Sequence, residues 1–188
     1  MSKVWFVTGS SRGLGRSFVE TALAAGDRVA ATARKPERLN DPVDRYGDAL
    51  LPIALDVVDF SAVEAAVDET VETFGRIDVV VNNAGYGDFA ALEDMSLPIF
   101  RAQIDTNFYG VVHVTKVLIP VLRNQGSGHI FQVSSLGGRI GTVGLAAYHS
   151  AKWAVWVFGC CRSRTGSLRR QGDDPGTGRD APIGPAPR

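Results

Sequence analysis

Cysteine is nearly missing from this chain. Of 188 residues only two are Cys, and they stand side by side at 160 and 161. Adjacent cysteines rarely bridge, and neither sits at a metal-ligand spacing. A disulfide scaffold and a metal module are therefore not expected, and a reducing, cytoplasmic setting is. No apolar run reaches the roughly eighteen residues of a membrane helix. The start, MSKVWFVTGS, lacks the charged-then-apolar order of a signal peptide. No membrane role is expected. Net charge is missing too: 20 Lys and Arg balance 20 Asp and Glu, so nothing global points to nucleic acid. The balance hides a split. Residues 162–188 hold six Arg and three Asp, a local +3, which leaves −3 for residues 1–161.

What is there is ordinary for a globular domain: 45% hydrophobic and 21% charged residues. Short apolar runs alternate with helical patterns. Strands are expected at 3–8, 28–33, 50–55, 78–82 and 129–135. Helices are expected at 13–25, 61–74, 97–124 and 147–158. In the first helix Leu14, Phe18, Ala22 and Ala25 form the expected inner face. In the second, Ser61 is the expected cap and Glu64 sits at the capping-box position. Val63, Val67, Val71 and Phe74 form its stripe. The half 111–122 of the long helix is apolar on more than one face, as expected of a helix buried between sheet and loops or packed on a second subunit. Pro120 fits a kink near its end. Apolar strands separated by helices imply an α/β fold, a doubly wound parallel sheet of Rossmann-like form.

TGSSRGLG (8–15) follows the first strand and opens the first helix. Gly9 permits a tight turn, Gly13 a close backbone approach to pyrophosphate, and Gly15 helix–strand packing. Ser11, Arg12 and Leu14 complete the loop. A helix N-terminus presents unpaired N–H groups to phosphate. The spacing G-x-x-x-G-x-G differs from the commoner dinucleotide pattern. An NAD site usually has an acid at the end of the second strand. Here ATARKPER (31–38) offers Arg34 instead, and Arg12 lies in the glycine loop. Two guanidinium groups suit a 2′-phosphate, so NADP(H) is favoured over NAD(H). Asp56, beyond the third strand, is placed to reach an adenine amino group or to precede the next helix as a cap. NNAG (82–85) ends the fourth strand, and Asn83, Ala84 and Gly85 bring backbone near the adenosine half.

Tyr148 and Lys152 are one helical turn apart and share a face. Ser135 closes the fifth strand, and Asn107 lies within the long helix. Ligands of open α/β sheets bind at such strand ends. His149 is expected at the surface or an interface. His113 is expected to be buried and satisfied, and Trp153 and Trp156 to pack or meet a partner.

As a set, TGSSRGLG, NNAG, Asn107, Ser135 and YHSAK resemble the single-domain branch of the short-chain dehydrogenase/reductase family. The resemblance runs from about Lys3 to Val155. It implies a hydride transfer between nicotinamide and a small carbonyl or secondary alcohol. Tyr148 is implied as general acid/base. A phenol is a poor base at neutral pH, and a nearby ammonium and an oxidised nicotinamide favour the phenolate. Lys152 is implied as that ammonium and as the ligand of the nicotinamide ribose, so both residues belong to the expected cofactor set. Ser135 is implied to orient the substrate oxygen, and Asn107 to hold a water linking Lys152 to solvent. A homo-oligomer, of a state the sequence leaves open, is expected to use the 97–124 and 147–158 helices.

Beyond Trp156 the resemblance fades. Family members add a sixth strand, a Pro-Gly loop, a covering helical segment and a seventh strand. Here RTGSLRRQGDD (164–174) has no strand pattern, and a reading-frame change is one explanation. The expectation is a domain over 1–158 without its last strands and a disordered Arg/Gly/Pro-rich tail over 159–188. An inactive NADP-binding remnant, or a binding module without enzymatic activity, is the alternative to an active oxidoreductase.

Overall fold

A computed structural model describes residues 2–160. The sequence from 161 onward, and with it nearly all of the expected tail, lies outside the described residues.

Five strands form one sheet: β1 (Val4–Thr8), β2 (Arg28–Ala33), β3 (Leu50–Ala54), β4 (Val79–Asn82) and β5 (His129–Gln132). Their order is β3-β2-β1-β4-β5, with every pairing parallel. The helices are α1 (Gly13–Ala24), α2 (Asn40–Tyr46), α3 (Phe60–Phe74), α4 (Leu97–Ile104), α5 (Gly110–Gln125) and α6 (Ala146–Cys160). This is the doubly wound, Rossmann-like arrangement expected. The order reverses beside β1, so the crevice for a ligand opens between the ends of β1 and β4.

Both faces of the sheet are covered, because successive strand residues point to opposite sides. Phe6, Val4 and Val80 pack with Val63 and Val67 of α3 and Val114 and Leu118 of α5. Val7, Val29, Ala31 and Val81 pack with Val19 and Leu23 of α1 and with Leu39. The stripe of α3 thus faces inward as expected, with Val63, Val67 and Phe74 buried and Val71 half-buried. Its cap differs: Asp59, not Ser61, accepts the Ala62 N–H at 3.1 Å, and Ser61 donates its hydroxyl to that same carboxylate at 2.7 Å. A carboxylate two residues earlier in the chain outcompetes a hydroxyl for the exposed N–H groups.

The inner face of α1 also differs from the expectation. Gly15, Val19, Ala22 and Leu23 are buried, while Leu14 is 54% exposed. The helix is rotated so that Leu14 faces the crevice rather than the core. The long helix expected over 97–124 is α4 and α5 joined by a π-helical turn, Asp105–Tyr109. Pro120 is accommodated on the exposed side of α5. Among the described residues, no helix is long and apolar enough to cross a membrane.

Candidate active site

The end of β1 is tied to the end of β4 by one hydroxyl and one amide. Thr8 Oγ1 accepts the N–H groups of Asn83 and Ala84, both at 3.0 Å. Asn83 Nδ2 donates to the carbonyls of Thr8 and Gly9 at 3.0 and 3.1 Å. Ser10 anchors the glycine loop to β2, its hydroxyl donating to the Thr32 carbonyl at 2.8 Å. Thr8 and Ser10 were not singled out from sequence; hydroxyls flanking a glycine turn were the available signal.

Two glycines in this loop have left-handed backbones, Gly9 at φ 67° and Gly13 at φ 57°. A Cβ on Gly9 would stand 2.7 Å from the Ala84 Cα, so the loop and NNAG touch backbone to backbone. Gly13, in contrast, meets nothing within 4 Å and opens into the crevice. No side chain caps α1, and its first turn holds no acid. Its first N–H groups are left to a ligand.

The crevice has a volume of about 810 Å³. It gathers every expected cofactor residue from Gly9 to Gly85: Gly9, Ser11, Arg12, Gly13, Leu14 and Gly15 from the loop, then Arg34, Asp56, Asn83, Ala84 and Gly85. It adds Lys35 and Arg38, so four cations face one carboxylate, Asp56. None of the four forms an ion pair with another described residue. The donor set therefore fits a phosphorylated dinucleotide: backbone N–H groups for a pyrophosphate, guanidinium groups for a further phosphate. Lys35 and Arg38 sit in a short turn whose fold-back onto the crevice no periodicity announces. Asp56 is not the helix cap; its carboxylate accepts the Val58 N–H at 3.1 Å.

Tyr148, Lys152, Asn107 and Ser135 do not line this crevice. They gather beyond its Gly85–Tyr86 end. A Cβ on Gly85 would strike Asn107 Oδ1 and lie 3.5 Å from Lys152 Nζ. Asn107 is fully buried. Its amide donates to the Tyr86 carbonyl at 2.7 Å and the Gln103 carbonyl at 2.8 Å, and its oxygen accepts the Tyr86 N–H at 3.1 Å. The π-helical turn is what carries Asn107 to this backbone; such turns recur at functional sites.

Lys152 is 4% exposed, and its ammonium donates to the Val133 carbonyl at 2.9 Å. Burial pushes its pKa down to about 8. Its Nζ lies 5.8 Å from the centre of the Tyr148 ring. That ring is flanked by Gly87 and Gly137, where added Cβ atoms would come within 3.0 and 3.3 Å of it. Ser135 Oγ accepts the N–H of Gly137, the glycine that borders that ring, at 3.1 Å. These two glycines were missed, because their use depends on a ring far away in sequence.

His149 departs from expectation. It is 8% exposed and hydrogen-bonded, since the loop before α6 folds over it. His113 is half-buried and bonds the Val57 carbonyl at 3.0 Å through Nδ1. Trp153 and Trp156 pack edge to face, ring centres 6.2 Å apart, and both are partly exposed.

The family model described as short chain dehydrogenase matches residues 3–163. The chain belongs to the short chain dehydrogenase family. It is 58% identical over 159 residues to the oxidoreductase BOA17 of Botryotinia fuckeliana, a match covering 84% of this chain and 58% of that protein. Among solved structures, a short chain dehydrogenase/reductase of Burkholderia phymatum, solved with NAD, superposes with TM-score 0.80 at 27% identity, covering 84% of this chain and 57% of that one. An alcohol dehydrogenase of Thermococcus sibiricus, solved with 5-hydroxy-NADP, superposes with TM-score 0.78 at 31% identity, covering 84% and 68%. Structural neighbours in the family thus bind nicotinamide dinucleotides of both kinds. The chain spans 50 to 58% of the length of the first curated relatives it matches.

Proposed function

We propose that this chain is an NADP(H)-dependent oxidoreductase acting on a small carbonyl or secondary alcohol. The observation that carries the reading is the meeting at Gly85. The cationic crevice ends there, and Lys152 and Asn107 begin there, with the Tyr148 ring two residues on against Gly87. Arg12 and Arg34, joined by Lys35 and Arg38, are the proposed contacts of the 2′-phosphate, and Asp56 that of the adenine. The glycine loop and Asn83–Gly85 hold the rest of the dinucleotide.

The bound nicotinamide supplies or accepts the hydride. The protein supplies a proton and a fixed geometry. In reduction, Tyr148 gives its phenolic proton to the substrate oxygen, and Ser135 donates a hydrogen bond that orients that oxygen. Lys152, held by the Val133 carbonyl, keeps a positive charge near the phenol and contacts the nicotinamide ribose. Asn107 holds the Tyr86 backbone beside that ammonium and is the proposed anchor of a relay water. The scarcity of Cys supports a cytoplasmic site of action. Exposed Leu97, Ile99, Tyr109, Trp153 and Trp156 support pairing of two copies through the α4–α5 and α6 helices.

Oxidation of NADPH by the purified chain in the presence of a carbonyl panel tests the reading. Turnover supports it. Tight NADPH binding with no turnover across the panel would favour the alternative, a dinucleotide-binding chain without catalysis.

A further inference from the structure

His149 follows Tyr148 on α6 and is the most buried of the chain's described histidines. Its Nδ1 accepts the backbone N–H of Thr142 at 3.2 Å. The same ring lies against the backbone of Gly137, where a Cβ would stand 2.5 Å from Cδ2 and 2.8 Å from Nε2. Gly137 is the residue whose N–H holds Ser135 Oγ. One imidazole therefore touches the turn that sets Ser135 and the segment 139–145 that leads into Tyr148.

That segment has few other anchors. Residues 139–143 are exposed, Val143 to 89% and Ile140 to 44%. At its start the Arg139 and Ile140 N–H groups bond the Leu136 carbonyl at 2.8 and 3.1 Å and the Arg139 guanidinium lies 4.9 Å over the Trp156 ring; at its end the Gly144 carbonyl accepts the Ala90 N–H at 3.0 Å. The Phe89 ring closes on Gly144, where a Cβ would meet it at 2.6 Å. Ala90 belongs to the stretch whose Gly87 backs the Tyr148 ring. So Gly87 and Gly137 stand on either side of the Tyr148 ring, and the segment that follows Gly137 is pinned to the Gly87 stretch at Gly144 and pinned inward at Thr142. A loop this exposed gains little from burial, and its placement rests on those few bonds.

We propose that His149 is a positioning residue that, through Thr142, holds the 139–145 segment beside Tyr148 and Ser135, so that Ile140 and Val143 border the approach of the substrate. The substrate half of this assignment rests on the oxidoreductase reading; the tether itself does not. A phenylalanine would fill the same space without an acceptor. An asparagine keeps an acceptor oxygen near the place of Nδ1.

The test uses the full 188-residue chain, with His149→Phe and His149→Asn. Amide exchange at Thr142 is read by NMR, together with NADPH affinity and steady-state kinetics on a carbonyl. In the wild type the Thr142 amide is expected to exchange about tenfold more slowly than that of Val143. His149→Phe removes that protection and raises KM about tenfold with kcat and NADPH affinity little changed; His149→Asn restores part of both. An unprotected Thr142 in the wild type overturns the tether with no variant needed. An unchanged KM in His149→Phe overturns the substrate half. If the wild type turns over no carbonyl, the oxidoreductase reading and the substrate half fall together, while Thr142 exchange still decides the tether. If His149→Phe does not bind NADPH, His149→Asn and the wild-type exchange decide instead.

Discussion

Around β1 and β2 nearly every strand residue is buried, whereas none of the four residues of β5 is, and Phe131 is 47% exposed. The crevice proposed for the dinucleotide stands on the first region, and Tyr148, Lys152 and Ser135 stand on the second. The crevice walls are held by apolar packing on both faces of the sheet. The second region buries fewer apolar residues, Ala147, Ala151 and Val155 of α6 among them, and adds a set of polar pins. Lys152 bonds the Val133 carbonyl, Asn107 bonds the Tyr86 backbone, and His149 bonds Thr142. Beneath them Gln132 bonds both Asn82 and Thr115, at 2.9 and 3.0 Å. The two halves should therefore fail separately. Packing loss lowers stability everywhere, whereas loss of a pin should disturb chemistry before it disturbs nucleotide binding.

The sharpest separation is expected from Tyr148→Phe. Turnover should fall by about a thousandfold or more, as for loss of a general acid, with NADPH affinity within about twofold. A stopped assay beside a fluorescence titration checks both. Arg34→Asp attacks the other region. Selectivity for NADPH over NADH should fall by about a hundredfold, with kcat on the preferred nucleotide little changed. Unchanged selectivity would remove Arg34 from the phosphate site. The pH profile comes next. The Lys152 ammonium, lowered to about 8 by burial, is present below that pH and lost above it. Carbonyl reduction should decline about tenfold per unit above pH 8 if the charge is needed, while NADPH affinity declines less. The smallest effect is that of Gln132→Leu. It leaves Asn82 and Thr115 with fewer partners, at a cost of about 1–3 kcal/mol. Denaturant unfolding reads that cost, and the crevice should still bind NADPH. An equal loss of binding would show that the two regions are not separable.

Most of this layout is legible in the sequence, for a physical reason. Strands buried on both faces and amphipathic helices such as α3 carry their period locally, and glycine turns carry their backbone demands locally. What was misjudged depends on competition or on distance. Asp59 displaces Ser61 as a cap because two acceptors vie for one set of N–H groups. Leu14 leaves the core because the loop before it fixes the rotation of α1. The π-helical turn at Asn107 is invisible to a helical period, which simply runs through it. Gly87 and Gly137 make room for a ring 61 and 11 residues away along the chain. The burial of His149 follows from the loop ahead of α6, which has no period at all.

One experiment joins both regions in a single trace. NADPH is titrated into the 188-residue chain while nicotinamide fluorescence is followed, and a carbonyl substrate is then added. The account predicts a saturable rise in emission for the wild type and for Tyr148→Phe alike, followed by decay in the wild type alone. No saturable rise in either protein, or equal decay in both, would contradict it.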